Sequence, residues 1–320
     1  MSKILVIPDV HGTSCWKQAK QIVKDQHVDY IVGLGDWVDS WENEWPEQGE
    51  NLKEGLDWFR EDPEHRFFCI GNHDFSYITN TWQGHKVSGH QYVHADEIKA
   101  ILEDNKDIIH YCIELDGWVF SHAGISRIWV DNYLKPILHF IYDTDKKAWD
   151  EKDFDVKLVD KTLIENATSF ERLNELIDWH GVWSGTGDEV EQGLLWIRPR
   201  ALISNMKYSK QVVGHTEWAM GEPVRLKKRT DKLLVVDSKK HDNLYILDTE
   251  TEENNKFITF LDFEKKLKKI DYTIDVLRSK KITDEKTIKR ELSKIKLSEK
   301  EIEAHYKKLN KEFNKVCETE

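Results

Sequence analysis

The chain predicts an α/β protein with two mixed sheets, flanked by helices and followed by a C-terminal helical appendage. Three observations carry this reading. Short apolar runs alternate with amphipathic stretches through the first half, strand-like runs return after residue 211, and beyond residue 260 the apolar residues recur every three or four positions. Strand–helix alternation with a β-rich end fits sheets packed between helices, and the three-to-four spacing marks one helix face.

Each element follows from its own pattern. Ile4-Leu5-Val6-Ile7 reads as a buried strand, and 13–25 as a helix with Trp16, Ala19, Ile22 and Val23 on one side. Tyr30-Ile31-Val32-Gly33-Leu34 is the next strand, and the loop at 42–49 leads to a helix near 51–60. Phe67-Phe68-Cys69-Ile70 follows as a strand, and a helix over 96–104 precedes strands at 109–115 and 117–121. Helices are predicted over 126–141 and 159–180, joined by an acidic stretch at 143–155, and strands at 211–213, 233–236, 243–247 and 257–260. In the tail, Phe263, Leu267, Ile270, Ile274 and Leu277 form one stripe, and Ile302, Tyr306, Leu309, Phe313 and Val316 another. Ile288, Leu292 and Ile295 mark a helix between them, and Ser298 with Glu301 makes a capping box for the last one. The expected organisation is a main α/β domain over 1–260 and an amphipathic helical tail over 261–320. The tail either docks on its own chain or forms a homodimer through its helices.

The net charge of −12 is unevenly spread. The last 60 residues carry 17 basic and 13 acidic side chains, which leaves the first 260 at −16. An acidic body disfavours nucleic acid as a partner. No run approaches the roughly 18 apolar residues of a membrane span, and Met1-Ser2-Lys3 runs directly into the first strand. Cys15, Cys69, Cys112 and Cys317 lie far apart with no C-x-x-C pair, which reads as reduced thiols in a cytoplasmic protein.

Five motifs fall in order: Asp9-Val10-His11, Gly35-Asp36-Trp37-Val38-Asp39, Gly71-Asn72-His73-Asp74, Ser121-His122-Ala123-Gly124 and Gly214-His215-Thr216. Each lies at or near the exit of an apolar run, so its polar side chains sit on loops at one sheet edge. Oxygen and nitrogen donors converging there suit two divalent ions, manganese foremost, with iron or zinc as alternatives. Phosphoester hydrolysis needs such a pair to clamp the phosphate and acidify a water. One ion takes Asp9, His11 and Asp36, and the other Asp36, Asn72, His122 and His215. His73 is then placed to protonate the leaving oxygen, with Asp39 fixing its tautomer.

These five blocks resemble the calcineurin-like metallophosphoesterases, whose pattern is D-x-H, G-D-x-x-D, G-N-H followed by D or E, a histidine after a strand, and G-H. The ligand, acid and orienting roles above match the family's at these positions. The closest likeness is to the short bacterial and phage members of the phosphoprotein phosphatase branch, through the single histidine of Gly214-His215-Thr216 and the block Trp196-Ile197-Arg198-Pro199-Arg200. The resemblance implies a four-layer α/β/β/α sandwich and a phosphomonoesterase of the protein Ser/Thr phosphatase type. Nucleotide, dinucleoside polyphosphate and polynucleotide-end phosphatases are the alternatives within the enzyme class. A catalytically idle protein-binding scaffold is the alternative outside it. Two departures bear on substrate: Ser40 and Ile70 stand where that branch usually carries arginines. Arg198, helped by Arg200, is left to grip phosphate, since a guanidinium fork binds its oxygens in pairs.

Trp37, Trp41, Trp45 and Trp82 cluster near the motifs, either as packing or as surfaces for a substrate's base or side chain. His85, His90 and His94 read as part of a loop lining the site. His180 reads as a helix C-terminal cap, and Ser184-Gly185-Thr186-Gly187 as a turn.

Overall fold

The computed structural model describes residues 1–79, 87–142, 154–179, 189–217, 224–237, 244–251, 258–280, 282, 284–295, 302 and 305–306, with 258–268 as backbone. One sheet takes β1 (Lys3–Ile7), β2 (Tyr30–Gly33), β3 (Arg66–Cys69) and β4 (Ile109–His110) in parallel, with β10 (Tyr245–Asp248) antiparallel to β1. The other runs in the order β11 (Ile258–Thr259), β8 (Val224–Lys228), β9 (Asp231–Val235), β7 (Lys210–Val213), β6 (Trp118–Ser121) and β5 (Cys112–Leu115).

Strand periodicity sorts the side chains into layers. Ile4 and Val6 pack with Val32, Leu34, Phe120, Val212, Leu234 and Leu247 between the two sheets, while Leu5 and Ile7 face Trp16 and Ala19. Leu233 and Val235 point the other way, onto Ala201, Leu202 and Ile203 of α8 (Pro199–Ser204). Successive residues on a strand face opposite sides, so strands buried on both faces read as continuous apolar runs. The result is the α/β/β/α sandwich. Among the described residues the other α-helices are α1 (Lys17–Asp25), α2 (Glu47–Arg60), α3 (Asn72–Ile78), α4 (Ala95–Asp104), α5 (Lys135–Ile141), α6 (Val156–Asn166) and α7 (Glu171–Ile177), with α9 (Phe260–Ser279) and α10 (Glu285–Ser293) in the tail.

Several boundaries differ from the sequence reading. The strand expected over 109–115 is two strands in different sheets. At the crossing, the Tyr111 and Cys112 amides donate to Asp160 Oδ1 at 2.6 and 3.1 Å, so the break leaves no buried donor unpaired. The helix expected over 159–180 is α6 and α7. Phe170 is extended at the break, and the Asn166 carbonyl accepts the Ser169 and Phe170 amides. The helix expected over 126–141 opens as a π-helix over Trp129–Leu134 before α5. α3, α8 and β8 were not legible as elements.

In the tail, Ile270, Ile274 and Leu277 of α9 pack with Ile288 and Leu292 of α10, joined by Ile282, Ile295, Ile302 and Tyr306. Asp284 caps α10 by accepting the Thr287 amide at 2.9 Å. α9 starts directly after β11, at the edge of the second sheet. Leu309, Phe313, Val316, Cys317 and the Ser298–Glu301 cap lie outside the described residues, as do the 143–153 part of the acidic stretch, Trp82, His85, His180 and the turn at 184–187. Among the described residues no helix is long and apolar enough to cross a membrane.

Candidate metal centre

The strand exits bring Asp9, His11, Asp36, Asn72, His122 and His215 to one place. Backbone strain accompanies them. Of the six described non-glycine residues with positive φ, four are His11 (45°), Asp36 (51°), Asp39 (66°) and His215 (60°). Such conformations persist only where surroundings over-determine them, and they concentrate at functional sites. Here the Val10 and His11 amides both donate to the Asp36 carbonyl, at 3.1 and 2.6 Å, locking the first two loops together. Two motif glycines are required by close approach. A Cβ on Gly71 would lie 2.1 Å from Asp36 Oδ1, and one on Gly214 would lie 2.2 Å from Asp9 Oδ1.

Asp36 is central. Its Oδ2 lies 3.7 Å from His11 Nε2 and 3.5 Å from His122 Nε2. His122 Nε2 and His215 Nδ1 converge on Asn72 Oδ1 at 2.7 and 3.1 Å, and the His215 amide donates to both Asp9 oxygens. His122 Nδ1 lies 2.9 Å from the Leu34 carbonyl and His11 Nδ1 3.3 Å from the Val38 carbonyl. A carbonyl only accepts, so each Nδ1 carries the proton and each Nε2 turns a lone pair toward oxygens. Lone pairs aimed at lone pairs are what a cation between them requires. Two overlapping triads, His11–Asp36–His73 and Asp36–His122–His215, have donor atoms within 4.8 Å of one another.

The charge balance agrees. Burial, reinforced by Asp74 and Asp39, holds Asp36 well above the usual carboxylate range. Burial also raises Asp9 to about 7, and Asp39 and Asp74 each to about 6. His215 is pushed well below the usual imidazole range by burial and by the nearby His122 and Arg198. Buried carboxylates that resist ionising and imidazoles that resist protonation together form a site short of positive charge. The residues fit a pair of divalent ions.

His73 follows Asn72 in the first turn of α3. Its Nδ1 lies 2.9 Å from Asp39 Oδ2, and its Nε2 lies 4.0 Å from Asp36 Oδ2. Burial and His122 lower its imidazole to about 3 in the metal-free protein. Arg198 is half-buried at the start of α8, close enough to His215 to depress its basicity, and forms no ion pair among the described residues. Arg200 is exposed one residue into the helix. Ser40 is buried, with its Oγ accepting the Glu42 and Asn43 amides, and Ile70 is core.

Three supporting residues were given no role in the sequence reading. Tyr77 donates to Asp39 Oδ1 and accepts the Gln91 amide at 2.7 Å; its place four residues after His73 was the available signal. Asp74 accepts the Trp37 amide at 2.7 Å and the Gly71 amide at 3.0 Å, tying the second motif to the third. Gln48 accepts the Ser40 amide at 3.0 Å and donates to the Asn43 carbonyl at 2.7 Å. Among the tryptophans, Trp37 is core, Trp45 stacks on His94 at 4.9 Å, and Trp41 is exposed beside His11. His90 stacks on Tyr77 at 4.2 Å.

A sandwich with candidate metal ligands gathered at its strand exits is the architecture of a metal-dependent phosphoester hydrolase. The chain belongs to the calcineurin-like phosphoesterase family, whose model matches residues 2–216. No curated protein matches it in sequence. Among solved structures it is similar to a cold-active protein-tyrosine phosphatase of a psychrophilic Shewanella species, at 16% identity and TM-score 0.47, covering 78% of this chain and 76% of that one. It is also similar to a protein serine/threonine phosphatase of Saccharomyces cerevisiae, at 16% identity and TM-score 0.39, covering 76% and 70%.

Proposed function

We propose that the protein is a dinuclear phosphomonoesterase, with manganese as its working metal. The observation that carries this is Asp36, whose one carboxylate oxygen lies within 3.7 Å of ligand nitrogens from both halves of the site. Asp9, His11 and Asp36 would hold the first ion, and Asp36, Asn72, His122 and His215 the second. When bound, the ions neutralise the phosphate and acidify a water. Asp39 accepts from His73 Nδ1–H, which leaves Nε2 to carry the proton destined for the leaving oxygen. A phosphate beside Nε2 brings the negative charge that favours imidazolium over the neutral ring. Arg198 grips non-bridging phosphate oxygens, with Arg200 behind it. With every ligand position filled, the idle-scaffold reading has no support in the site.

Ser40 and Ile70 remove two guanidinium forks that the Ser/Thr phosphatase branch uses, so binding depends more on what the phosphate is attached to. We assign catalysis to residues 1–260 and a supporting role to 261–320. The test is hydrolysis of p-nitrophenyl phosphate against bis(p-nitrophenyl) phosphate, after chelation and after adding manganese. The expected result is manganese-restored cleavage of the monoester, with the diester slower. Hydrolysis that survives exhaustive chelation, or none with any metal, contradicts the proposal.

A further inference from the structure

Whatever is esterified to the phosphate must leave past His73, so the surface beside that histidine contacts the leaving group. Trp41 forms that surface. Its ring centroid lies 4.7 Å from His11 and 6.1 Å from His73, yet the residue is 60% exposed. What sets Trp41 apart from other exposed hydrophobic side chains is its place, with an open ring at the rim of the metal site.

The loop presents Trp41 by construction. Ser40 Oγ accepts the amides of Glu42 and Asn43 at 3.1 and 3.0 Å, closing a tight turn around the tryptophan. Fully buried Gln48 ties the same turn at Ser40 and Asn43, and Asn43 Nδ2 donates to the Gly12 carbonyl at 3.0 Å. The backbone at Gly89 lies beside the indole nitrogen. Ser40, which stands where an arginine is expected, thus shapes a turn that displays an aromatic ring.

Resting on the phosphomonoesterase reading, we propose that Trp41 is a specificity-determining platform. It stacks a planar aromatic group carried on the leaving oxygen, so the preferred substrates are aryl or nucleoside phosphates. Aromatic stacking recognises a π face without reading its hydrogen-bonding edge, and it supplies binding where arginine contacts are missing.

The test compares substrate pairs in wild type, Trp41→Ala and Trp41→Phe, each loaded with manganese and checked for melting temperature and metal content. Adenosine 5′-monophosphate and ribose 5-phosphate expel the same primary alkoxide and differ only in the base. A phosphotyrosine and a phosphoserine peptide of otherwise identical sequence form the second pair and separate the aryl source from the nucleoside one. In at least one pair the ratio of kcat/KM, aromatic over non-aromatic, should fall about tenfold in Trp41→Ala and recover in Trp41→Phe. The inhibition constant of phenylphosphonate, relative to methylphosphonate, should rise by a similar factor without any turnover being measured. Ratios equal in wild type and Trp41→Ala for both pairs, with an unmoved phenylphosphonate constant, overturn the platform while leaving the phosphatase intact. Failure to hydrolyse any of the four substrates overturns the phosphomonoesterase reading and the platform with it.

Discussion

His73 Nδ1 lies 2.9 Å from Oδ2 of Asp39, whose other oxygen accepts the phenol of Tyr77. The pair is buried, and His73 Nε2 faces Asp36 at 4.0 Å. Asp39 therefore fixes which nitrogen turns toward Asp36. Changing His73 to Asn should leave metal content intact and lower kcat for an alkyl phosphate by roughly 10²–10⁴-fold, the range of lost acid catalysis. The loss with p-nitrophenyl phosphate should be much smaller, because that leaving group needs little protonation. Equal losses for both esters would remove His73 from the acid role.

In the proposed mechanism Tyr77 reaches His73 through Asp39, while it also accepts the Gln91 amide and stacks on His90. Tyr77→Phe should lower kcat about tenfold for an alkyl phosphate, with metal stoichiometry unchanged, because a buried carboxylate loses a donor and holds the imidazole less well. In a His73→Asn background the same substitution should change almost nothing. Additive effects in that double-mutant cycle would show that Tyr77 is merely structural.

Arg198 carries its charge half-buried beside His215 with no carboxylate paired to it among the described residues. Its replacement by Ala should raise KM and weaken inhibition by free phosphate by the same factor, on the order of tenfold. Phosphate inhibition unchanged in that variant would place the guanidinium outside the site.

The metal-free protein has a pH signature. Burial raises Asp9 to about 7 from an ordinary 3.8, so the folded state holds a proton that the unfolded chain has released between those values. That contribution to stability is complete below 3.8 and is lost as pH rises through about 7. His73 and His215, lowered by burial, act in the opposite sense up to the ordinary histidine range, so total stability mixes the two. The difference between proteins isolates Asp9. Chelated Asp9→Asn should gain melting temperature relative to chelated wild type as pH rises from about 5 to about 8. A gap that stays constant would mean Asp9 ionises freely.

The convergence of the motif residues was legible because each sits in a short motif at or near the end of an apolar run, and a strand exit places a side chain without knowledge of its neighbours. The departures came from partners distant in sequence. Nothing near Tyr111 announces that the strand changes sheets there, because Asp160, which takes the freed amides, lies on a helix some fifty residues later. α3 was hidden because its first turn, Asn72-His73, reads as chemistry before it reads as helix. Trp37 and Trp41 look alike as letters, and only packing separates the buried ring from the one facing solvent.

The central claim is that Asp36 joins two metal ions in one centre. Manganese stoichiometry and turnover of Asp36→Asn against wild type test it most directly, read on the same preparations by elemental analysis and phosphate release. Wild type should hold two equivalents, and the variant at most one, with turnover down by at least about 10³-fold, because the bridging charge neutralises both ions. A variant that keeps two equivalents and turns over near the wild-type rate contradicts the dinuclear centre.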